Sequence, residues 1–334
     1  MIEVVDLCKY YGDRRAAGPL SFTIERGEIV GLLGLNGAGK TTALRILACD
    51  LLPSSGTVRV DGLDVVEDPH EVRRRIGYLP ETPPLYGEMT VHEYLVFAAR
   101  LRGVAGSQAS RAADGVEESL QLTAVRDDVI SSLSLGFRQR VGIAQAVVHK
   151  PALLILDEPI TGLDPAQIIE MRQLLRELRS EHTIVLSSHI LTEISETCDR
   201  ILVLREGEIV AAGKEADISR RMLGGVQIEV TVRVGPAATV ESVRALLAGT
   251  PGATGVTAIA ARETGPDIAS FCVDADRDVR ETVSRALVDA GAGILEIVRS
   301  RRELESVFLR LTGADPGAHL LPSAGIASGA GVPS

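Results

Sequence analysis

The sequence predicts an α/β protein with a second, smaller α+β domain, and three observations support this prediction. The segments ALLIL (152–156) and TIVLS (183–187) are mostly apolar and do not alternate with polar residues, as is typical of strands buried on both faces of a mainly parallel sheet. Such strands alternate with helical patterns up to about residue 213. After Gly224 and Gly225 the strands alternate between apolar and polar residues, which is typical of a sheet with one buried face.

The first domain contains clear segments of both kinds. The predicted strands are MIEVVDLCKYYG, EIVGLLGL, TVRVDGLDV, RRIGYLP, ALLILDEP, HTIVLSSH and RILVLREGEIVAAG. The predicted helices are TTALRILACDLL, VHEYLVFAARLRG, FRQRVGIAQAVVHK, AQIIEMRQLLRELRSE and LTEISETC.

The second domain follows a different plan. The segments VQIEVTVRV, TVESVRALLAG, GVTAIAAR, IASFCVDA, DRDVRETVSRALVDAG and GILEIVRS predict the order β-α-β-β-α-β, and therefore a small ferredoxin-like domain. An amphipathic helix, SRRELESVFLRLTG, is predicted to close it. We expect one domain over 1–213, a linker over 214–225 and an accessory domain over 226–313. The Gly-, Ala-, Pro- and Ser-rich tail, 314–334, is predicted to be disordered.

Composition and charge limit the classes of function. The 334 residues carry a formal charge of −10, whereas general nucleic-acid binders usually present a basic face. The four cysteines are scattered without a CxxC pair, which disfavours metal ligation by thiolates and fits a reducing compartment. No segment approaches the roughly 18 consecutive apolar residues of a membrane span. Work at a membrane would therefore require a separate partner.

The segment GLLGLNGAGKTT (31–42) has the spacing of a phosphate-binding loop between a strand and a helix. Its glycines let backbone amides turn towards a β-phosphate, Lys40 adds a charge near the β and γ oxygens, and the Thr41 hydroxyl is a Mg²⁺ ligand. The plainer alternative is a glycine-rich turn. Only four of the 35 basic residues are lysines, so a lysine at position 40 favours a need for a compact ammonium group. The predicted loop residues are Gly34, Leu35, Asn36, Gly37, Ala38, Gly39, Lys40, Thr41 and Thr42.

Two further strand ends carry candidate catalytic groups. In LLILDEP, Asp157 ends a buried strand where it can reach Mg²⁺, and Glu158 is the candidate general base or the group that orients the attacking water. The alternative is a polar strand exit. In TIVLSSH, His189 is a candidate donor to the γ-phosphate, because its strand must lie near the other two. A lone histidine is more often structural.

The segment LSLGFRQR (133–140) places a serine and a glycine before an amphipathic helix. Ser134 or a neighbour is a candidate helix cap, and Gly136 can free the turn. The first amide groups of a helix are unpaired, so such a start is also a place where an anion can bind.

Taken together, these motifs resemble the ATP-binding cassette of ABC transporters. In order along residues 1 to about 213 they are GLNGAGKTT as Walker A, LSLGFRQR as the signature motif, LLILDEP as Walker B, GLDP as the D-loop and SSH as the H-loop. The resemblance implies a P-loop NTPase fold with a helical signature subdomain, ATP and Mg²⁺ as cofactors, and ATP hydrolysis. The signature departs from the commonest form, LSGGQ, at Leu135 and Phe137, which bears on its local contact geometry.

The resemblance also implies that two chains act together. In the family, the signature helix of one cassette faces the γ-phosphate held by a second cassette. Ser134 and Gly136 would then cap ATP bound to another copy, and Asp164 matches the D-loop acid that crosses between subunits. Tyr11 matches the aromatic residue that stacks on adenine, with Tyr10 as an alternative. The chain carries one motif set, so a homodimer is the simplest inference and a heterodimer stays open.

The family's Q-loop glutamine is replaced by Glu81 in this sequence. A carboxylate there would either point to solvent or pair with an arginine, or lie near Mg²⁺ and couple the loop to the nucleotide. The adjoining segment ETPPLYGEMTV would meet a membrane subunit, with Leu85, Tyr86 and Met89 either as docking contacts or as local core.

The accessory domain and the ending LEIVRSRRELESVFLRLTG resemble ATPase subunits of ABC-2 type exporters, a branch that includes antibiotic exporters and the gliding-motility-associated type. This implies a polytopic ABC-2 permease as partner and a cytoplasmic chain on the inner face of the cell membrane, without nucleic acid. One rival class is a soluble ABC ATPase of DNA repair or ribosomes, which usually has coiled insertions or two cassettes. A metabolite kinase, the other rival, would not need the signature and D-loop motifs.

Overall fold

Three β-sheets organise the part of the chain that the structure, a computed structural model, describes: residues 1–215, 217–218, 226–235, 238–259, 265 and 267–299. The predicted closing helix (300–313), the tail (314–334) and most of the linker lie outside the described residues.

The first sheet is antiparallel and forms one side of the first domain. Its strands are β1 (Ile2–Tyr11), β2 (Arg14–Ile24), β4 (Ser55–Val60) and β5 (Leu63–Asp64), in the order β2-β1-β4-β5.

The second sheet lies at the centre of the first domain. Its strands are β3 (Ile29–Leu33), β6 (Ile76–Leu79), β7 (Leu153–Leu156), β8 (Thr183–Ser188), β9 (Arg200–Arg205) and β10 (Glu208–Gly213), in the order β10-β9-β3-β8-β7-β6. Every pairing is parallel except that of β10 with β9. All residues of β3, β7 and β8 are buried, which confirms the predicted burial on both faces.

Helices and the first sheet cover this central sheet. The helices are α1 (Lys40–Leu47), α2 (Pro69–Arg75), α3 (Val91–Leu101), α4 (Gly106–Ser119), α5 (Leu135–Val147), α6 (Pro165–Leu178) and α7 (Leu191–Thr197). Alternate residues of each buried strand enter two different cores: Leu154 and Leu156 join one, while Leu153 and Ile155 join the other. The α/β architecture predicted for this domain is therefore confirmed, although β2, α2 and α4 were not anticipated.

The third sheet belongs to the second unit. Its elements are β11 (Val226–Arg233), α8 (Val240–Ala248), β12 (Ala253–Ile259), β13 (Ile268–Ala275), α9 (Arg280–Asp289) and β14 (Gly293–Arg299). The antiparallel order is β12-β13-β11-β14, so the first strand lies between the third and the fourth, as in a ferredoxin-like fold. This unit has its own core around Phe271, Val230 and Leu287. The predicted topology is thus confirmed, and the exact domain boundaries stay predictions.

Candidate functional site

Three neighbouring parallel strands deliver the candidate site. The loop after β3 begins at Gly34, β7 leads directly into Asp157 and Glu158, and β8 is followed by His189. Because β3, β8 and β7 are adjacent, these groups meet at the carboxyl edge of the sheet, where ligands of open α/β sheets bind.

A cavity of about 780 Å³ lies at this edge, which is large enough for a nucleotide-sized ligand. Its predicted lining residues are Tyr11, Asn36, Gly37, Gly39, Lys40, Thr41, Thr42, Glu81, Glu158 and His189. Its unpredicted ones are Arg14, Arg15, Ala16 and Thr161. Leu35 and Ala38 line a smaller neighbouring cavity, and Asp157 lines another one together with Thr41 and Glu81.

The phosphate-binding loop depends on its glycines. Gly37 and Gly39 have φ of 84° and 101°, in the left-handed region that favours glycine. A Cβ on Gly34 would lie 2.6 Å from the carbonyl oxygen of Leu204, so no larger residue fits there without a shift of the backbone. The loop leads straight into α1 at Lys40, and the free amides of this helix start face an incoming anion.

Lys40 is buried, with only 5% of its surface exposed. Its Nζ donates a hydrogen bond to the Gly34 carbonyl oxygen at 2.8 Å and lies 3.4 Å from Oε1 of Glu158. A buried ammonium beside a carboxylate is balanced in charge. Lys40 therefore lies against Glu158, and a bound phosphate group would compete with the Glu158 carboxylate for the Lys40 ammonium.

Three groups surround the Glu158 carboxylate. Oε1 faces Lys40, while Oε2 accepts hydrogen bonds from the Thr161 hydroxyl at 2.8 Å and from Nδ1 of His189 at 3.0 Å. The backbone of Glu158 has φ of 51°, and its N–H donates to the Ser187 hydroxyl at 2.9 Å. Both the main chain and the side chain of Glu158 are therefore held.

The ionised form of Glu158 is favoured. Burial alone would raise the pKa of this carboxyl, but the hydrogen bonds from Thr161 and His189 and the charge of Lys40 outweigh it and lower the pKa below the ordinary value. A proton acceptor or water-orienting group must be ionised, so this environment fits the predicted role of Glu158.

Asp157 provides a donor set that fits a divalent cation. Its Oδ1 accepts a hydrogen bond from Ser187 at 2.6 Å, while Oδ2 is buried and accepts none within the described part of the chain. Burial raises the pKa of Asp157, and the nearby hydroxyls of Ser187 and Thr41 act in the opposite direction. A buried carboxylate oxygen left without a donor, beside a hydroxyl, is an arrangement that Mg²⁺ can satisfy.

Hydrogen bonds of Ser188 hold the turn that carries His189. Ser188 donates a hydrogen bond to the buried Glu193 at 2.6 Å and accepts one from the backbone N–H of Ile190 at 3.0 Å. Burial raises the pKa of Glu193, and the hydrogen bond from Ser188 opposes that rise. This support was not predicted from the sequence, because Ser188 and Glu193 come together only when α7 folds back.

The opposite end of the cavity belongs to the first sheet. Tyr11 is 51% exposed, and Lys9 Nζ lies 5.4 Å from its ring centroid. Arg15 forms an ion pair with Glu208 at 2.7 Å. Tyr10, the alternative to Tyr11, is not among the residues that line the cavity. An exposed ring at the mouth of the cavity is available to stack on a base.

Gly207 joins the two ends of the cavity. Its carbonyl oxygen accepts a hydrogen bond from the Gly18 N–H of β2 at 2.6 Å, and its own N–H donates to the Ala38 carbonyl at 3.1 Å. The turn between β9 and β10 therefore ties the first sheet to the phosphate-binding loop.

The remaining predicted residues lie away from this cavity. Ser134 caps α5 by accepting a hydrogen bond from the Phe137 N–H at 3.4 Å, and Asp164 caps α6 by accepting one from the Gln167 N–H at 2.9 Å. A Cβ on Gly136 would lie 2.9 Å from the Gln167 side chain, so the two helix starts are in contact. Ser134 and Asp164 are exposed and Gly136 is buried, and none of the three lines the cavity of its own chain.

Glu81 lies where the main cavity meets the one that contains Asp157, because both are lined by Glu81 and Thr41. Nearby, Leu85 and Met89 pack against the core, whereas Tyr86 is 49% exposed. The local-core alternative therefore holds for Leu85 and Met89.

The sequence is similar to those of known proteins. Residues 17–161 match the family model described as ABC transporter. The chain is 40% identical over 226 residues to the bacitracin transport ATP-binding protein BcrA of Enterococcus faecalis, covering 66% of this chain and 71% of that protein. It is 35% identical over 308 residues to the daunorubicin resistance ATP-binding protein DrrA3 of Streptomyces coeruleorubidus, covering 92% and 94%.

A solved structure is similar as well. It is a dimeric ATP-binding cassette in a post-hydrolysis state bound to ADP and phosphate, with a TM-score of 0.59 and 26% identity. The similarity covers 64% of this chain and 98% of that one.

Proposed function

Because the chain belongs to the ABC transporter family, we propose that it is the ATP-hydrolysing subunit of an ABC-2 type membrane exporter. The observation that supports this most is the meeting of Lys40, Glu158 and His189 in one cavity at the ends of three adjacent strands. These residues supply a phosphate-binding cation, a carboxylate that orients water and a hydrogen-bond donor, which is the set that ATP hydrolysis requires.

The geometry indicates how the site changes when ATP enters. The triphosphate occupies the loop from Gly34 to Thr42 and draws Lys40 from Glu158 towards the β and γ oxygens. The Glu158 carboxylate is then free to accept a hydrogen bond from the attacking water. His189 donates to the γ-phosphate, whose negative charge grows along the reaction.

Thr41 and Asp157 would hold Mg²⁺, with Glu81 beside them. When bound, this ion neutralises charge on the β and γ oxygens of the nucleotide.

Two copies of the chain form the working unit in this proposal. Ser134, Gly136 and Asp164 do not line the cavity of their own chain, and the exposed Ser134 and Asp164 can meet the ATP of another copy. The similarity to a dimeric cassette supports this arrangement. ATP binds the closed pair better than the open one, so hydrolysis drives the two copies through a cycle.

The exporter is assigned from the relatives. BcrA is named for bacitracin transport and DrrA3 for daunorubicin resistance, and DrrA3 matches nearly the whole chain, including the second unit. No helix in the described residues is long and apolar enough to cross a membrane. From the exporter relatives we propose a separate ABC-2 permease as the membrane path, with this chain on its cytoplasmic side.

The replacement Glu158→Gln tests the function. It keeps the size of the side chain but removes the charge, so we expect ATP to bind while turnover falls by roughly 10²-fold, the usual scale for a general base. The variant should also accumulate as an ATP-bound dimer that size-exclusion chromatography detects. Nucleotide binding and steady-state ATPase activity with Mg²⁺ are measured against wild type. Near-normal turnover would remove Glu158 from this role.

A further inference from the structure

Of the three groups that contact the Glu158 carboxylate, two have another task in the proposed reaction. Lys40 and His189 are the groups that the phosphates would attract. Thr161 is the third, and its hydroxyl donates to Oε2 at 2.8 Å. Thr161 is therefore the one side chain of this trio that has no other task in the proposed reaction.

The position of Thr161 follows from the local sequence. The Thr161 N–H donates to the Glu158 carbonyl oxygen at 3.3 Å, which closes a turn over Glu158, Pro159, Ile160 and Thr161. Proline at the second position of such a turn has the required φ. The turn brings the Thr161 side chain back over Glu158, so the contact between the two side chains is local and does not depend on distant packing.

We infer that Thr161 is a positioning residue for Glu158. It holds one carboxylate oxygen so that the other faces the place from which Lys40 withdraws and where the attacking water must lie. This role rests on the proposed function, because it has meaning only if Glu158 orients that water. The residue is exposed and lines the nucleotide cavity, so its replacement leaves the core of the protein intact.

Two substitutions distinguish the effect of the Thr161 hydroxyl from the effect of the side-chain shape. Thr161→Val keeps the branched shape and loses the donor, whereas Thr161→Ser keeps the donor. We expect Thr161→Val to lower kcat about tenfold or more, because a hydrogen bond to a charged group is lost, while KM for ATP stays unchanged. Thr161→Ser should restore most of kcat. Thr257→Val, at an exposed position of β12, is the matched control and should behave as wild type.

A double-mutant comparison tests whether Thr161 acts through Glu158. In the Glu158→Gln background, Thr161→Val should cause no further loss in the single-turnover rate of the full chain. An equal further loss would show an independent effect and overturn the inference. Unchanged kcat in Thr161→Val, a change in KM alone, or a Thr161→Ser variant as slow as Thr161→Val would overturn it as well.

Failure of the proposed function has a different signature. A wild-type chain without Mg²⁺-dependent ATPase activity, or a fully active Glu158→Gln variant, would remove the function and with it the role of Thr161. An active wild type, an impaired Glu158→Gln and an unimpaired Thr161→Val would leave the function standing and reject the inference alone.

Discussion

Glu81 is exposed and touches both the nucleotide cavity and the cavity that contains Asp157. Within the described part of the chain it forms no ion pair with an arginine or lysine, so two alternatives remain: the carboxylate points to solvent, or it lies near Mg²⁺. A free carboxylate at this junction would attract Mg²⁺ and repel the γ-phosphate, and the two effects oppose each other.

The variant Glu81→Gln should therefore require more Mg²⁺ for half-maximal ATPase activity. We expect an increase of roughly fivefold, which corresponds to about 1 kcal/mol of electrostatic interaction. The preference between ATP and ADP should change as well, because the two nucleotides differ in charge. A Mg²⁺ titration at fixed nucleotide measures both. Superimposable curves and equal affinities for each nucleotide would make Glu81 an ordinary loop residue.

The sequence allowed some site residues to be predicted and not others. The loop from Asn36 to Thr42 and the Asp157-Glu158 pair are contiguous motifs, so spacing alone identifies them. Thr161 and Arg14 reach the cavity through a turn and a strand end, where no motif marks the contact. The apposition of Lys40 and Glu158 also depends on the order of strands β3, β8 and β7, which only the folded sheet provides.

At the level of elements, α4 was missed because its buried face is not apolar in the usual sense. The residues that it buries are Ala109, Ala113 and Glu117, spaced by four along the helix. The spacing is helical, but alanine and glutamate are not large apolar residues, so no run of Leu, Ile or Phe marks the helix in the sequence. By contrast, β7 and β8 were predicted as strands because Leu153–Leu156 and Ile184–Leu186 are unbroken runs of apolar residues.

The packing of α5 on β6 is so close that it depends on Gly77. A Cβ at this position would lie 2.1 Å from the carbonyl oxygen of Ala146, which is backbone and cannot move aside. We expect Gly77→Ala to destabilise the protein by about 2 kcal/mol or more, as overpacking of a core does. Thermal unfolding, followed by circular dichroism, measures the effect.

Gly115→Ala is the matched control. Gly115 is exposed on α4, and no atom lies within 4 Å of the added Cβ. Alanine should therefore raise helix stability by up to about 1 kcal/mol, so the same chemical change should have opposite signs at the two positions. A Gly77→Ala protein as stable as Gly115→Ala would contradict the close packing of α5 on β6.

At the scale of the whole molecule, the separation of Ser134 from its own cavity leads to a test of action between chains. Ser134→Arg protein and Lys40→Ala protein should each be inactive. Mixed together, they form some dimers in which one site carries both changes and the other site carries neither. We expect partial recovery of ATPase activity in the mixture, measured against each variant alone.

A second mixture provides the control. Either single variant combined with the doubly substituted chain, Lys40→Ala with Ser134→Arg, contains no intact site under the same arrangement. If each chain uses its own Ser134, neither mixture contains an intact site and neither should recover. Recovery in the first mixture alone therefore supports the arrangement between chains, whereas equal recovery in both mixtures would contradict it.

The sequence predicted different properties of the two units of the chain. The β-α-β-β-α-β order was sufficient to predict the strand order of the second unit, because few topologies suit that order. Its boundaries were not accessible in the same way, since a linker is defined by the contacts it lacks and not by a pattern of its own. In the first domain the strand β2 was missed because RRAAGPLSFTI combines a glycine, a proline and several polar residues.

The hydrogen bonds of Gly207 have a consequence for affinity. They connect the strand next to the Tyr11 end of the cavity with the loop that receives the phosphates, so the two ends of a nucleotide meet a single rigid frame. In the proposed site the nucleotide would behave as a bivalent ligand: once its phosphates are held, the base would face Tyr11 at a high effective concentration, and little additional entropy would be lost. A half-exposed ring that binds a free base weakly would then contribute fully to the affinity for the whole nucleotide.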